Sequence, residues 1–105
     1  MIVKLTDSSI SDMKIIKENL NLFNESGARF IDEIMQKIEI LQTSPYLGTS
    51  LETKTKIATD YRFLVFRFTK RQTYIIVYRI NEKEEITYIN RVFDGRMNYL
   101  DILFN

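Results

Sequence analysis

The 105-residue chain contains no cysteine and no histidine. Without cysteine, neither a disulfide nor a thiolate metal site can hold the fold together. Without histidine, the side chain that most often works as a general base near neutral pH is missing, and so is the commonest metal ligand. Long apolar runs are missing too: no stretch approaches the roughly 20 apolar residues that cross a bilayer. The opening MIVKLTDSS lacks the apolar centre of a secretory signal. These absences predict a soluble, cytoplasmic protein with no metal, no cofactor and no membrane partner. The length predicts a single domain, residues 1–105, built on one core.

An excess of one charge is also lacking, since the net charge is only +1. The charge is unevenly spread, however. Residues 1–53 hold five Lys or Arg against eight Asp or Glu, and residues 54–105 hold ten against six. Between Lys54 and Arg79 there are seven cations and one acid, Asp60. Such a run is either a solvated loop with strand ends or an electropositive face that meets an acidic partner or phosphates.

What the chain does have is a stretch dense in β-forming residues, from Asp60 to Phe93. It reads DYRFLVFRF, TYIIVYRI and EITYINRVF, separated by TKRQ and NEKE, which predicts a three-stranded antiparallel meander. Tyr61, Phe63 and Val65 point to one face and Leu64, Phe66 and Phe68 to the other, so both faces need cover. Arg62, Arg67, Arg79 and Arg91 interrupt these runs and are candidate positions for chemistry or for partner contact.

Ahead of the meander, Met1 to Thr6 alternates and reads as an added strand of the same sheet. Thr6, Asp7 and Ser8 supply helix caps, and Ile10, Met13, Ile16, Leu20 and Phe23 then recur at helical spacing. After the break at Asn24–Gly27, the residues Phe30, Ile31, Ile34, Met35, Ile38 and Leu41 resume the pattern until Thr43-Ser44-Pro45 ends it. The short connection predicts an antiparallel helix hairpin, each helix about five turns long. Tyr46 to Thr59 reads as a mobile loop. Past the Asp94-Gly95 turn, Met97, Leu100, Leu103 and Phe104 predict a final helical turn or two whose apolar face packs on the open sheet face or on a partner chain. The predicted fold class is therefore α+β: an N-terminal strand, a helix hairpin packed on a mainly antiparallel sheet, and a short C-terminal helix.

This order resembles the toxins of bacterial type II toxin–antitoxin modules, the RelE/ParE superfamily. Ser44-Pro45-Tyr46-Leu47-Gly48 looks like the family's Pro-x-x-Gly, Asp60-Tyr61-Arg62 like its Asp-Tyr-Arg, and Tyr74–Arg79 like its central strand. Arg91-Val92-Phe93-Asp94-Gly95-Arg96-Met97-Asn98-Tyr99 resembles the family's closing Arg-(Val/Ile)-Leu-His-Gly-Arg-Arg-Asp-Tyr. Asp94 stands where many members have His, and Met97-Asn98 where they have Arg-Asp, so an imidazole and a cation are missing from that segment.

The resemblance implies two functions from different classes. Members similar to RelE cut messenger RNA on the ribosome by attack of a 2′-hydroxyl on its own phosphodiester, which needs proton transfer and cations around the phosphate. Here Arg62 and Arg96 would clamp phosphate with Lys54 or Lys56, Tyr99 would sit near the leaving group or stack on a base, and Glu52 would be the base. In the alternative, Arg62 and Arg96 pair with Asp60, Asp94 or Asp101, and Tyr99 belongs to the core. Members similar to ParE instead bind DNA gyrase and trap it on DNA. The near-neutral charge, the long hairpin and the missing imidazole lean toward ParE, and Asp94, Met97 and Asn98 leave a weakened or inactive toxin copy as a further alternative. Either way the resemblance implies an acidic antitoxin partner, with a homodimer or a toxin–antitoxin heterotetramer as the assembly. Arg67, Arg79, Arg91, Leu100, Leu103 and Phe104 are the candidate partner contacts.

Overall fold

The computed structural model describes residues 1–104. In chain order these form β1 (Ile2–Leu5), α1 (Asp7–Leu22), α2 (Gly27–Glu39) continued by a 3-10 turn (Ile40–Gln42), β2 (Thr49–Ser50), α3 (Leu51–Thr55), β3 (Arg62–Arg67), β4 (Thr73–Asn81), β5 (Ile86–Asp94) and α4 (Tyr99–Phe104). The sheet runs β1-β5-β4-β3-β2, with β1 parallel to β5 and every other pair antiparallel. The α+β architecture and the meander are as the sequence predicts.

The helix starts follow from side-chain chemistry. Thr6 Oγ1 accepts from the Ser9 amide at 3.2 Å, and Ser26 Oγ accepts from the Arg29 amide at 3.0 Å, each satisfying a donor that has no intrahelical partner. The hairpin closes tightly at Gly27, where an added Cβ would lie 2.6 Å from Lys17 Cγ and 2.7 Å from the Lys17 carbonyl oxygen. The helices are shorter than five turns, at 16 and 13 residues: α1 is capped at Phe23, and α2 tightens to 3-10 geometry at Ile40 before Pro45 is reached. Ile10 and Phe23 do not join the buried stripe: they are 49 % and 78 % exposed, and Met13, Ile16 and Leu20 carry the packing.

Two clusters lie on opposite faces of the sheet. Under the hairpin, Met13, Leu20, Phe30, Ile34, Ile38 and Leu41 meet Leu64, Phe66, Phe68, Tyr74, Ile76, Tyr78, Ile89 and Val92. On the other face, Ile75, Val77 and Phe93 pack with Leu51 and are closed over by Tyr61, Phe63, Tyr99, Leu100, Leu103 and Phe104. Of the two covers the sequence allows for the C-terminal segment, the chain uses its own sheet.

The stretch expected to be a mobile loop, Tyr46 to Thr59, carries β2 and α3. Leu51 is its anchor, with no exposed surface; Ser50 caps α3, and Lys56 ends it in the left-handed conformation with φ 64°. Scattered Thr and Lys hide this from periodicity, because a five-residue helix offers only one inward position. In β5 the register shifts by one residue, so that Val77 pairs with Arg91 and Tyr78 with Ile89. Asn90 is thereby left without an opposite residue, and Ile89 and Val92 both reach the hairpin side.

Candidate functional site

Three places on the molecule collect the functional candidates. The first is the face covered by α3 and α4. Tyr99 stacks on Phe93 with centroids 6.0 Å apart, and its hydroxyl accepts from Lys54 Nζ at 3.2 Å. The same ammonium sits 4.7 Å from the centroid of the Phe63 ring, so a cation is held over an aromatic floor. Glu52 lies exposed in the first turn of the same short helix. Leu100, Leu103 and Phe104 face inward beneath this group, with Phe104 edge-on to Tyr61 at 6.2 Å. The structure brings Lys54 and Tyr99 together; Lys56, at the end of α3, is exposed.

The second place is the loop that crosses to β2. Arg62 shares the strand parity of Leu64 and Phe66, so it points to the hairpin side, away from Lys54 and Tyr99. Its Nη2 donates to the Tyr46 and Gly48 carbonyls at 3.1 and 2.6 Å, and its guanidinium lies 5.4 Å from the Tyr46 ring centroid. Tyr78, fully buried, donates its hydroxyl to the Pro45 carbonyl and accepts from the Gly48 amide, both at 2.8 Å. A Cβ at Gly48 would lie 2.5 Å from Tyr78 Oη and from the Phe63 carbonyl oxygen, so only glycine lets the loop approach the sheet this closely. Arg62 is thus occupied in fastening this loop. Sequence reading missed Tyr78 in this role, since a tyrosine inside an apolar strand looks like core.

The third place is a groove of about 710 Å³ between the C-terminal half of α1 and the end of β5. Ile15, Ile16, Leu20, Phe23 and Met97 form its apolar walls. Two ion pairs line it. Arg91 grips Asp12 through Nε at 2.8 Å and Nη2 at 3.0 Å, and Asp12 also accepts from the Val92 amide at 2.9 Å. Arg96 holds Asp94 through Nε at 3.1 Å and Nη2 at 2.9 Å. Hydrogen bonding from Arg96 keeps the Asp94 carboxyl below the usual carboxylate range, more strongly than its partial burial opposes this. Burial pushes the Tyr74 phenol in the same groove upward, and the Asp94 charge adds to the shift. Asp12 escaped the sequence reading because it looked like one of the polar residues between the apolar positions of α1.

Arg79 is paired as well, with Asp60 at 2.8 Å, and its guanidinium lies 4.8 Å from the Tyr61 ring centroid. Arg67 is exposed and has no carboxylate partner among the described residues. The six residues that a nuclease would use therefore divide: Lys54, Tyr99 and the helix carrying Glu52 and Lys56 on one face, Arg62 beneath the loop on the other, and Arg96 tied to Asp94 beside the groove. Among the described residues, no group of three or more carboxylates gathers as a metal site, and no helix is long and apolar enough to cross a membrane.

This fold is similar to that of a solved structure described as a chromosomal ParDE TA system from P. aeruginosa. The match has a TM-score of 0.69 at 16 % identity and covers 90 % of this chain and 95 % of that one. The family described as ParE toxin of type II toxin-antitoxin system, parDE, matches residues 3–99, nearly the whole chain, and the chain belongs to it. It is a toxin of the type II class, within the superfamily that the closing Arg91–Tyr99 segment resembles. No curated protein sequence matches it.

Proposed function

We propose that this toxin arrests growth in the bacterial cytoplasm by binding DNA gyrase and poisoning it, and that an acidic antitoxin restrains it. The observation that carries the target is the dispersal of the would-be nuclease residues. In-line cleavage of RNA needs cations and a proton-transfer group converging on one phosphate. Arg62 is spent on the Tyr46 and Gly48 carbonyls and Arg96 on Asp94, and among the described residues Lys54 is the one cation in contact with Tyr99. A binding protein needs no such convergence. It needs exposed anchors on a rigid support, and Ile15, Leu22 and Phe23 on the hairpin with Met97 across the groove supply them.

The second reading, ribosome-dependent cleavage of messenger RNA, is favoured by the Lys54–Tyr99 contact alone. Two assays on the induced toxin separate the readings. Purified gyrase with supercoiled DNA should accumulate cleaved complexes, and Phe23→Glu should abolish this while Arg62→Ala and Arg96→Ala retain it. Transcripts mapped by primer extension should stay whole. Codon-phased cuts with unaffected gyrase overturn the proposal.

A further inference from the structure

The two turns of the meander carry opposite charge. β3 ends on Arg67, and Lys70 and Arg71 stand on the turn into β4, whereas the turn from β4 to β5 holds Glu82, Glu84 and Glu85 against Lys83. β4 runs nine residues from one turn to the other, which at about 3.3 Å per residue sets the two ends roughly 30 Å apart. A chain of net charge +1 is thus polarised along its sheet, with a local field that the total hides.

At the basic end the cations are unpaired and firmly mounted. Arg67, Lys70 and Arg71 are exposed, and none has a carboxylate partner among the described residues. Of the neighbouring acids, Glu33 pairs with Arg29, whose guanidinium lies 4.2 Å from the Phe68 ring centroid, and Asp94 pairs with Arg96. Glu25 on the groove wall is then the one acid set against three cations. The backbone beneath them is fixed: the Phe68 amide donates to the Gln72 carbonyl at 2.9 Å, and Thr69 Oγ1 accepts from the Arg71 and Gln72 amides at 3.3 and 3.1 Å.

The surface of this end is polar throughout. Between Val65 and Met97 no large apolar side chain is exposed among the described residues, so the turn lacks the apolar anchors on which protein interfaces depend. Arginine and lysine beside Thr69 and Gln72 are instead the donors that suit phosphate oxygens. Gln72 also lines the groove whose Phe23 and Met97 serve as gyrase anchors in the reading above. The basic turn therefore borders the surface assigned to gyrase, an enzyme that holds DNA.

We propose that the end formed by Arg67, Lys70 and Arg71 contacts the phosphate backbone of duplex DNA, a second and sequence-independent contact beside the one to gyrase. The proposal takes the choice of DNA from the gyrase reading; the cations themselves ask only for closely spaced phosphates. The acidic turn at the far end of β4 points away from the duplex, so charge alone orients the toxin.

The test uses a labelled linear DNA duplex as the probe, followed by fluorescence anisotropy with the full chain at low salt. Binding should weaken as salt rises, with a log–log slope of about −0.9 for each phosphate contacted. The double variant Lys70→Glu with Arg71→Glu should bind tenfold or more weakly and flatten that slope, while Lys70→Arg with Arg71→Lys, which keeps the charge, should match the unmodified chain. Circular dichroism checks the fold, and should the charge-reversed variant fail to fold, Arg67→Ala takes its place with a smaller loss. Capture of gyrase in the absence of DNA should be the same for all forms. A duplex that ignores the unmodified chain, or binds the charge-reversed variant equally well, overturns the proposal and leaves the gyrase reading standing. Duplex binding lost on charge reversal, with gyrase captured by no form, upholds the contact and sinks the gyrase reading. Tighter binding of single-stranded RNA than of duplex overturns the choice of DNA. Self-association abolished by charge reversal, with the duplex ignored, assigns the basic turn to the acidic turn of a second copy instead.

Discussion

The two faces of the sheet are covered in different ways. On one side, two long helices bury Phe30, Ile34 and Leu41 completely, with Phe30 touching three further rings at centroid distances of 4.9 to 6.0 Å. On the other, the five-residue α3 and six-residue α4 close over Val77 and Phe93, but the covering residues Tyr99, Leu100, Leu103 and Phe104 remain half-buried. Long amphipathic helices bring many inward positions per element, whereas one or two turns bring few. The hairpin face is therefore where stability resides, and the α3–α4 face is the part able to open locally without loss of the fold.

The comparison can be broken most severely at Phe30. Phe30→Ala should cost about 3–5 kcal/mol, enough to remove a large share of a domain's stability, and urea unfolding would measure it. A cost near 1 kcal/mol would mean that the hairpin face is no more demanding than its opposite. Next comes Tyr78→Phe, which keeps the ring and deletes two hydrogen bonds to the Pro45–Gly48 loop. It should cost about 1–2 kcal/mol with the Gly48 amide exchanging faster by NMR, while Arg62→Ala should loosen the same loop with a smaller loss.

Phe104→Ala sharpens the contrast from the other side. It should cost about 1 kcal/mol, and hydrogen exchange should rise in α4 while the α2 amides stay protected. Equal acceleration in both helices would show that the two faces open together. The smallest effect expected is at Asp94. Its carboxyl is held below its usual range in the folded chain, so the stabilisation is present above the unfolded value of about 3.9 and is lost as pH falls through the lower folded value. Asp94→Asn should lower the melting temperature at pH 7, only slightly because Arg96 lies out in solvent and the pair is screened, and the difference from the unmodified chain should vanish once the pH falls below the folded-state value.

Much of this architecture was legible in the residues. The meander showed itself through alternation of large apolar side chains, and the hairpin through its three-and-four spacing with a cap at Thr6; the cap at Ser26 emerged only in the structure. Phe23 was misread because spacing says which residues share a face, while burial depends on what lies against that face; Phe23, at the C-cap of α1, lines the open groove instead of being covered. The segment around α3 was missed because its order comes from one buried residue, Leu51, and from Ser50 and Lys56 at its ends.

For the candidate site the division is sharper. The sequence by itself determined the chemistry on offer: no imidazole, no thiol, a surplus of arginine in the second half, and a family-like order of motifs. Only the tertiary structure decided what each cation does. Arg62, Arg79, Arg91 and Arg96 are bound to carbonyls or carboxylates, and Arg91 finds its partner 79 residues away in the chain. The cause is physical: a guanidinium is defined by its neighbours, and strand parity, a one-residue bulge and the crossing of the Pro45–Gly48 loop set those neighbours. The basic end of the sheet belongs to the same category. Lys70 and Arg71 stand together in the chain, but Arg29 joins them only because the hairpin packs Phe30 against Phe66, Phe68 and Tyr74 beneath that end.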